Sequence, residues 1–233
     1  MPECGKRRRH RITEHTIEIP APPVQLTGDL TVPTQSSGLV IFAHGSGSSR
    51  LSSRNRQVAV ALNGHGLATL LFDLLTSEEE ADRANVFDIE MLSRRLLAAT
   101  RWAMAEPTLS RLPLGYFGAS TGAAAALCAA AELGSEISGV VSRGGRPDMA
   151  GPCLHEVTAP TLLIVGGSDR VVLELNQAAS KALRCPNELA VVPGATHLFE
   201  EPGALEKVAE LAGAWFSDHL TDRTSGPEAP EDI

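Results

Sequence analysis

The sequence contains no C-x-x-C pair, and its four cysteines (Cys4, Cys128, Cys153 and Cys185) lie far apart. That spacing argues against a zinc site and against a disulfide framework, so the four read as free thiols in a reducing compartment. No apolar run reaches the roughly 18 residues of a membrane span. No hydrophobic segment follows the basic start Lys6-Arg7-Arg8-Arg9, so a secretory signal is not expected and the cytoplasm is the expected location. There is no internal repeat. Positive charge is also in deficit. The formal net charge of −8 argues against nucleic acid as a partner.

What is present suits one well-buried domain, since 233 residues at 43% hydrophobic and 21% charged form an ordinary globular composition. A flexible tail is expected over 1–10, a folded domain over 11–220 and a disordered polar tail over 221–233. Arg11 to Pro20 and Val24 to Pro33 alternate polar and apolar residues, which predicts an antiparallel hairpin at a sheet edge. Their prolines and Gly28 fit an edge better than a centre. Continuous apolar runs at Gly38–Ala43, Leu67–Phe72, Leu114–Ala119, Ile137–Ser142 and Pro160–Val165 predict strands buried on both faces. A last strand is expected at Glu188–Val192. Helical spacing falls at Asn55–Asn63, Asp88–Met104, Thr121–Leu133, Leu173–Leu183 and Pro202–Leu220, while Ser77–Asp82 reads as an acidic surface loop. The alternation predicts an α/β fold of about eight mostly parallel strands with helices on both faces.

The segment Gly118-Ala119-Ser120-Thr121-Gly122 joins a strand to an alanine-rich helix and has the G-x-S-x-G form, in which a strained turn lifts a serine hydroxyl to the top of a sheet. A serine becomes a nucleophile when a base takes its proton and a carboxylate fixes the tautomer of that base. The order Ser120, Asp169, His197 satisfies the chain order Ser, Asp or Glu, His that accompanies this turn. Asp148 ranks second for the acid, and Asp73 is demoted because it precedes the serine. Two backbone N–H groups must meet the negative charge that develops on the carbonyl oxygen. Thr121 at the helix start and Ser46 in His44-Gly45-Ser46-Gly47 are the expected donors, with Gly47 the alternative to Ser46. That turn lacks the lysine and spacing of a phosphate-binding loop.

Together H-G-S-G, G-A-S-T-G, G-G-S-D and G-A-T-H resemble the α/β-hydrolase superfamily and, more narrowly, the small lidless proteins grouped with dienelactone hydrolases. The likeness spans roughly residues 15 to 220. One departure stands out: the name-giving dienelactone hydrolases use a cysteine nucleophile where this turn holds Ser120. Similar small domains also occur beside phosphoribosyltransferase domains, so the resemblance implies association with such an activity, although no phosphoribosyltransferase motif is present in this sequence. About 17 residues separate the strand after the elbow helix from the next, too few for a lid domain.

The expected activity is hydrolysis of small carboxylic esters through Ser120, His197 and Asp169 and an acyl-enzyme, with neither metal nor organic cofactor. Thioester or amide cleavage, acyl transfer and a partner protein with little turnover stay open, as do monomer and dimer. Arg143, with Gly47 and His44, is expected to contact substrate, since guanidinium suits an anionic substrate group. The alternative for Arg143 is an ion pair with an acid such as Asp73.

Overall fold

Two alternating segments open the described chain, which covers residues 12–220 in this computed structural model. The segments assigned as tails, together with Arg11, Lys6–Arg9 and Cys4, lie outside the described residues. Strand β1 (Ile12–Ala21) pairs antiparallel with β2 (Val24–Pro33) along its whole length. Only β1 is an edge, because β2 pairs on its other side with the strand at Leu67–Phe72. Gly28 therefore sits inside the sheet, where a Cβ would press on Leu70 Cδ1 at 3.1 Å and Phe72 Cβ at 3.2 Å. Close packing, rather than an edge, explains that glycine.

β3 (Gly38–Ala43) leads through α1 (Ser53–Gly64) to β4 (Leu67–Phe72), and both strands are buried throughout. The acidic stretch Ser77–Asp82, expected as a loop, instead forms the one-turn helix α2 (Ser77–Glu80), and a second, α3 (Arg83–Val86), follows it. Thr76 and Glu79 cap α2 reciprocally, and the Asp82 carboxylate accepts from Ala84 N. Four residues are too few to carry a periodic signal, so only these caps mark them. There follow α4 (Ile89–Ala105), β5 (Leu114–Ala119), α5 (Thr121–Leu133) and β6 (Ile137–Arg143). The crossover after β6 holds 3₁₀ turns at Pro147–Glu156, broken at Gly151. Then come β7 (Thr161–Gly166), α6 (Arg170–Ala182), β8 (Asn187–Val192) and α7 (Ala204–His219).

The eight strands lie in the order β1-β2-β4-β3-β5-β6-β7-β8, parallel from β4 to β8. Strand alternation divides the core: Leu39 and Ile41 face α4 and α5 with Leu96 and Leu127, while Val40 and Phe42 face α1 and α7 with Leu62, Val208 and Phe216. Among the described residues no lid domain covers the sheet. The chain reverses its direction of travel across the sheet between β3 and β5, and such a switch point opens a crevice at the carboxyl ends of the two strands. Alanine side chains let the first two turns of α5, Thr121 to Leu127, lie buried beneath that crevice.

On the opposite face α7 sits on glycine. A Cβ on Gly115 would come within 2.7 Å of Phe216 Cε1, inside a ring that is fully buried. Gly115→Ala is expected to lower stability by about 1–3 kcal/mol through overpacking. The check is a reduced urea midpoint at unchanged slope, with part of the loss recovered when Phe216→Leu is added.

Candidate active site

Ser120 stands between β5 and α5 with φ 50° and ψ −120°, a backbone conformation that a side chain rarely adopts. Three hydrogen bonds hold it there. Its N–H donates to Arg143 O (3.2 Å), and its carbonyl accepts from Ala123 N (3.1 Å) and Arg146 N (3.0 Å). The flanking glycines permit the close approach. A Cβ on Gly118 would lie 2.4 Å from Ala123 Cα, and one on Gly122 only 2.2 Å from Ala43 O. The turn after β3 also abuts Ser120, since a Cβ on Gly45 would be 2.9 Å from Ser120 Cβ.

Asp169 occupies the N-cap position of α6, but its carboxylate is directed at His197: Nδ1 donates to Asp169 Oδ2 at 2.7 Å. A carboxylate can only accept, so the neutral ring carries its proton on Nδ1 and keeps Nε2 free as a base. The two turns are stitched together by Ser168 N to Ala195 O (2.9 Å) and Gly167 N to Val192 O (2.8 Å). The His197 side chain is 38% exposed, so the base is open to solvent and substrate. Gly144 brings the ring to the serine's side of the rim: it follows Arg143, which holds Ser120, and a Cβ on it would lie 3.6 Å from His197 Cε1. The competing acids have other partners. Asp148 takes Arg146 in a bidentate pair (2.8 and 2.7 Å), and Asp73 takes both the side chain and the N–H of Arg50.

The expected oxyanion residues meet each other. Ser46 N donates to Thr121 Oγ1 at 3.0 Å, so this amide is not vacant as the simplest reading supposed. Thr121 N belongs to the first turn of α5, whose amides have no acceptor within the helix. Gly47 has φ 66° and space around it.

His44 is 6% exposed, its Nε2 accepts from Leu74 N (3.0 Å) and its Nδ1 donates to Gly45 O (3.0 Å). With both nitrogens engaged it braces the turn after β3 against the end of β4, and its ring lines the small recess beside that turn. Burial pushes its pKa below 6.5.

Arg143 has no carboxylate partner among the described residues; Asp73, the expected one, belongs to Arg50. Its Nη2 reaches Asn55 Oδ1 at 3.4 Å, its guanidinium lies 5.8 Å from the centre of the Phe199 ring, and its buried Nε has no acceptor. Burial, assisted by the charge of Arg54, brings its pKa down to about 10. Motif spacing gave no hint of Asn55, Phe199 or Asn176, whose Nδ2 donates to Gly145 O at 3.0 Å. Phe199 does carry a local mark, its positive φ of 56° two residues past His197.

The neutral His44 makes stability depend on acid. Because its folded pKa is depressed, its contribution is complete above the unfolded value of 6.5 and is lost as pH falls toward the folded value. Thermal midpoints measured between pH 8 and 5 should fall below about pH 6.5. The slope should be shallower in His44→Asn, which starts from a lower midpoint at neutral pH.

No family model matches the chain. A protein of Mycobacterium tuberculosis, provisionally named a phosphoribosyl transferase and known from two strains, is 61% identical over 209 residues. The match takes in 90% of this chain and 47% of that protein, so the chain spans about half the length of the curated relatives it matches. The crystal structure of a dienelactone hydrolase from Anabaena variabilis superposes with a TM-score of 0.88 at 51% identity, covering 91% of this chain and 100% of that one. Est1E from Butyrivibrio proteoclasticus, 19% identical with 88% and 98% covered, shares the fold at a TM-score of 0.76. With a relative 51% identical and matched along its whole length, the chain belongs to the dienelactone hydrolase-like family of α/β-hydrolases.

Proposed function

We propose that this chain is a serine hydrolase that cleaves carboxylic esters of small substrates. The observation that carries the reading is the 2.7 Å bond from His197 Nδ1 to Asp169, made by a ring that is open to solvent on the same rim as the strained Ser120. In this reading His197 Nε2 takes the proton of Ser120 Oγ as that oxygen attacks the ester carbonyl. Asp169 holds the tautomer and stabilises the imidazolium that forms. The proton then passes to the leaving alcohol. Water, deprotonated by the same nitrogen, releases the acid from the acyl-enzyme. The Thr121 amide faces the oxyanion. The Ser46 amide shares its hydrogen between the oxyanion and Thr121 Oγ1, which fixes the orientation of that peptide.

Substrate size follows from the shape of the rim. The recess beside the oxyanion turn, lined by His44, Gly47, Leu74, Val86 and Thr121 among others, is only about 10 Å³, about the room for one water, so in this reading acyl and leaving groups lie along the open rim. Arg143 is the group assigned to an anionic substrate, because its guanidinium has no carboxylate partner among the described residues while Arg50 takes Asp73. We place the phosphoribosyl transfer in the name of the M. tuberculosis relative in the part of that protein this chain does not span, because the matched part, 47% of its length, has the hydrolase fold. An association with such an activity is therefore expected in the longer relatives. Purified chain mixed with phosphoribosyl pyrophosphate and a nucleobase should release no pyrophosphate; release would move that activity into this half.

Ser120→Ala should abolish both hydrolysis of p-nitrophenyl acetate and labelling by a fluorophosphonate. Asp169→Asn should lower kcat by about 10⁴-fold by favouring the wrong tautomer. Unmodified protein that neither turns over short acyl esters nor takes the label would sink the reading. Arg143→Met retains volume without charge, and kcat/KM for carboxylate-bearing esters should fall about 10- to 100-fold, the range for a hydrogen bond to a charged group. Neutral esters should be little affected, and an equal loss on both would remove the anion role.

A further inference from the structure

Cys128 lies eight residues beyond Ser120 on α5, about 12 Å along the helix axis. Cys153 belongs to the 3₁₀ crossover that packs on this helix. Both are half-buried free thiols, and they interact side chain to side chain. They open into one cleft of about 780 Å³ between α4, α5 and the crossover, whose walls include Ile89, Ala131, Met149 and Pro152. Cys128 Sγ donates its hydrogen to Ala150 O at 3.6 Å. The ester chemistry uses neither sulfur. Cys185, by contrast, is buried and donates to Thr161 Oγ1.

Two free thiols that line one cleft with room for a small molecule, on elements packed against each other, are arranged for exchange with a disulfide. We propose that Cys128 and Cys153 form a modification site for low-molecular-weight disulfides of the glutathione class, closing to an intramolecular disulfide between α5 and the crossover. The order of attack follows from the environment of each sulfur. Burial keeps the Cys128 thiol protonated and its hydrogen is already engaged, so Cys153 attacks first. The Cys153 thiolate bonds to one sulfur of the incoming disulfide and expels the other half as a thiolate, leaving a mixed disulfide. Cys128 then gives up its proton to solvent and attacks Cys153 Sγ. That step forms the Cys128–Cys153 bond and expels the second half as a thiolate. The protein dithiol is oxidised and the small disulfide is reduced to two thiols. The new bond would tie the helix that begins at Ser120 to the segment whose Arg146 N holds the Ser120 carbonyl.

The test uses the full chain carrying Cys4→Ser, equilibrated in buffers of increasing oxidised-to-reduced glutathione ratio, quenched by alkylation and read by intact mass and peptide mapping. The mass should fall by two hydrogens, with the peptides of Cys128 and Cys153 joined and Cys185 alkylated. Adding Cys128→Ser should arrest the reaction at one glutathionyl group on Cys153, whereas adding Cys153→Ser should leave Cys128 fully alkylated. The oxidised protein should also melt at a higher temperature, a shift that a dithiol reductant reverses and neither serine variant shows. The proposal is overturned if both thiols remain alkylatable across the series, or if a stable glutathionyl adduct persists on Cys153 while Cys128 is present. These readouts are independent of ester hydrolysis.

Discussion

The site depends on how closely α5 approaches the ends of β3 and β5. At Gly122 the helix backbone passes so near the Ala43 and His44 carbonyls that a Cβ would sit 2.2 and 2.4 Å from them, far inside contact distance. That contact forces the chain to turn from strand to helix within one residue, and Ser120 takes up the strain at φ 50°. A side-chain residue in such a conformation costs on the order of 1–3 kcal/mol. Its N–H and carbonyl offset part of this by bonding to Arg143, Ala123 and Arg146. The same contact lays Gly45 against Ser120 and brings the Ser46 amide to Thr121 Oγ1. The strained Ser120 turn and the turn after β3 are thus two results of one steric fit.

From that fit the other groups follow by register. β3, β5, β6, β7 and β8 are parallel neighbours, with Ala43 opposite Gly118, Ala119 opposite Arg143 and Gly166 opposite Val192. Their carboxyl ends therefore deliver His44, Ser120, Arg143, Asp169 and His197 to one rim. Bonds between neighbouring loops hold them there. His44 spans from the β3 turn to Leu74, the Gly167–Asp169 turn bonds to the β8 loop, and Asn176 of α6 secures Gly145.

The parts legible in the sequence were those written in short-range pattern. Strands buried on both faces read as unbroken apolar runs, so β3, β4 and β5 begin and end where expected, and α5 does so because the serine turn sets its start. Asp169 and His197 were legible through chain order and position at strand ends, and the structure joins them directly. Long-range partnership was not legible. His44 looked available until Leu74, thirty residues on, took its Nε2. Arg143 could not be separated from an Asp73 pair until Arg50 claimed that carboxylate. The short helices α2 and α3 rest on caps rather than on an apolar face, and Gly28 is explained by neighbours on two other strands.

Without a lid, selectivity has to come from the rim itself. The crossover over 144–160 is pinned at its start, by Gly144 N to Ile164 O, Arg146 N to Ser120 O and Asn176 to Gly145 O, so it acts as a wall rather than a flap. A wall that cannot close excludes little water, and apolar contact at so open a rim discriminates weakly. A buried charge discriminates more strongly. Arg143 is 7% exposed and pairs with an amide and a ring face, an arrangement that is expensive for a guanidinium unless a ligand completes it. In the proposed reading, that unfinished electrostatic demand next to Ser120 is what would let an open site choose its substrate by charge rather than by enclosure.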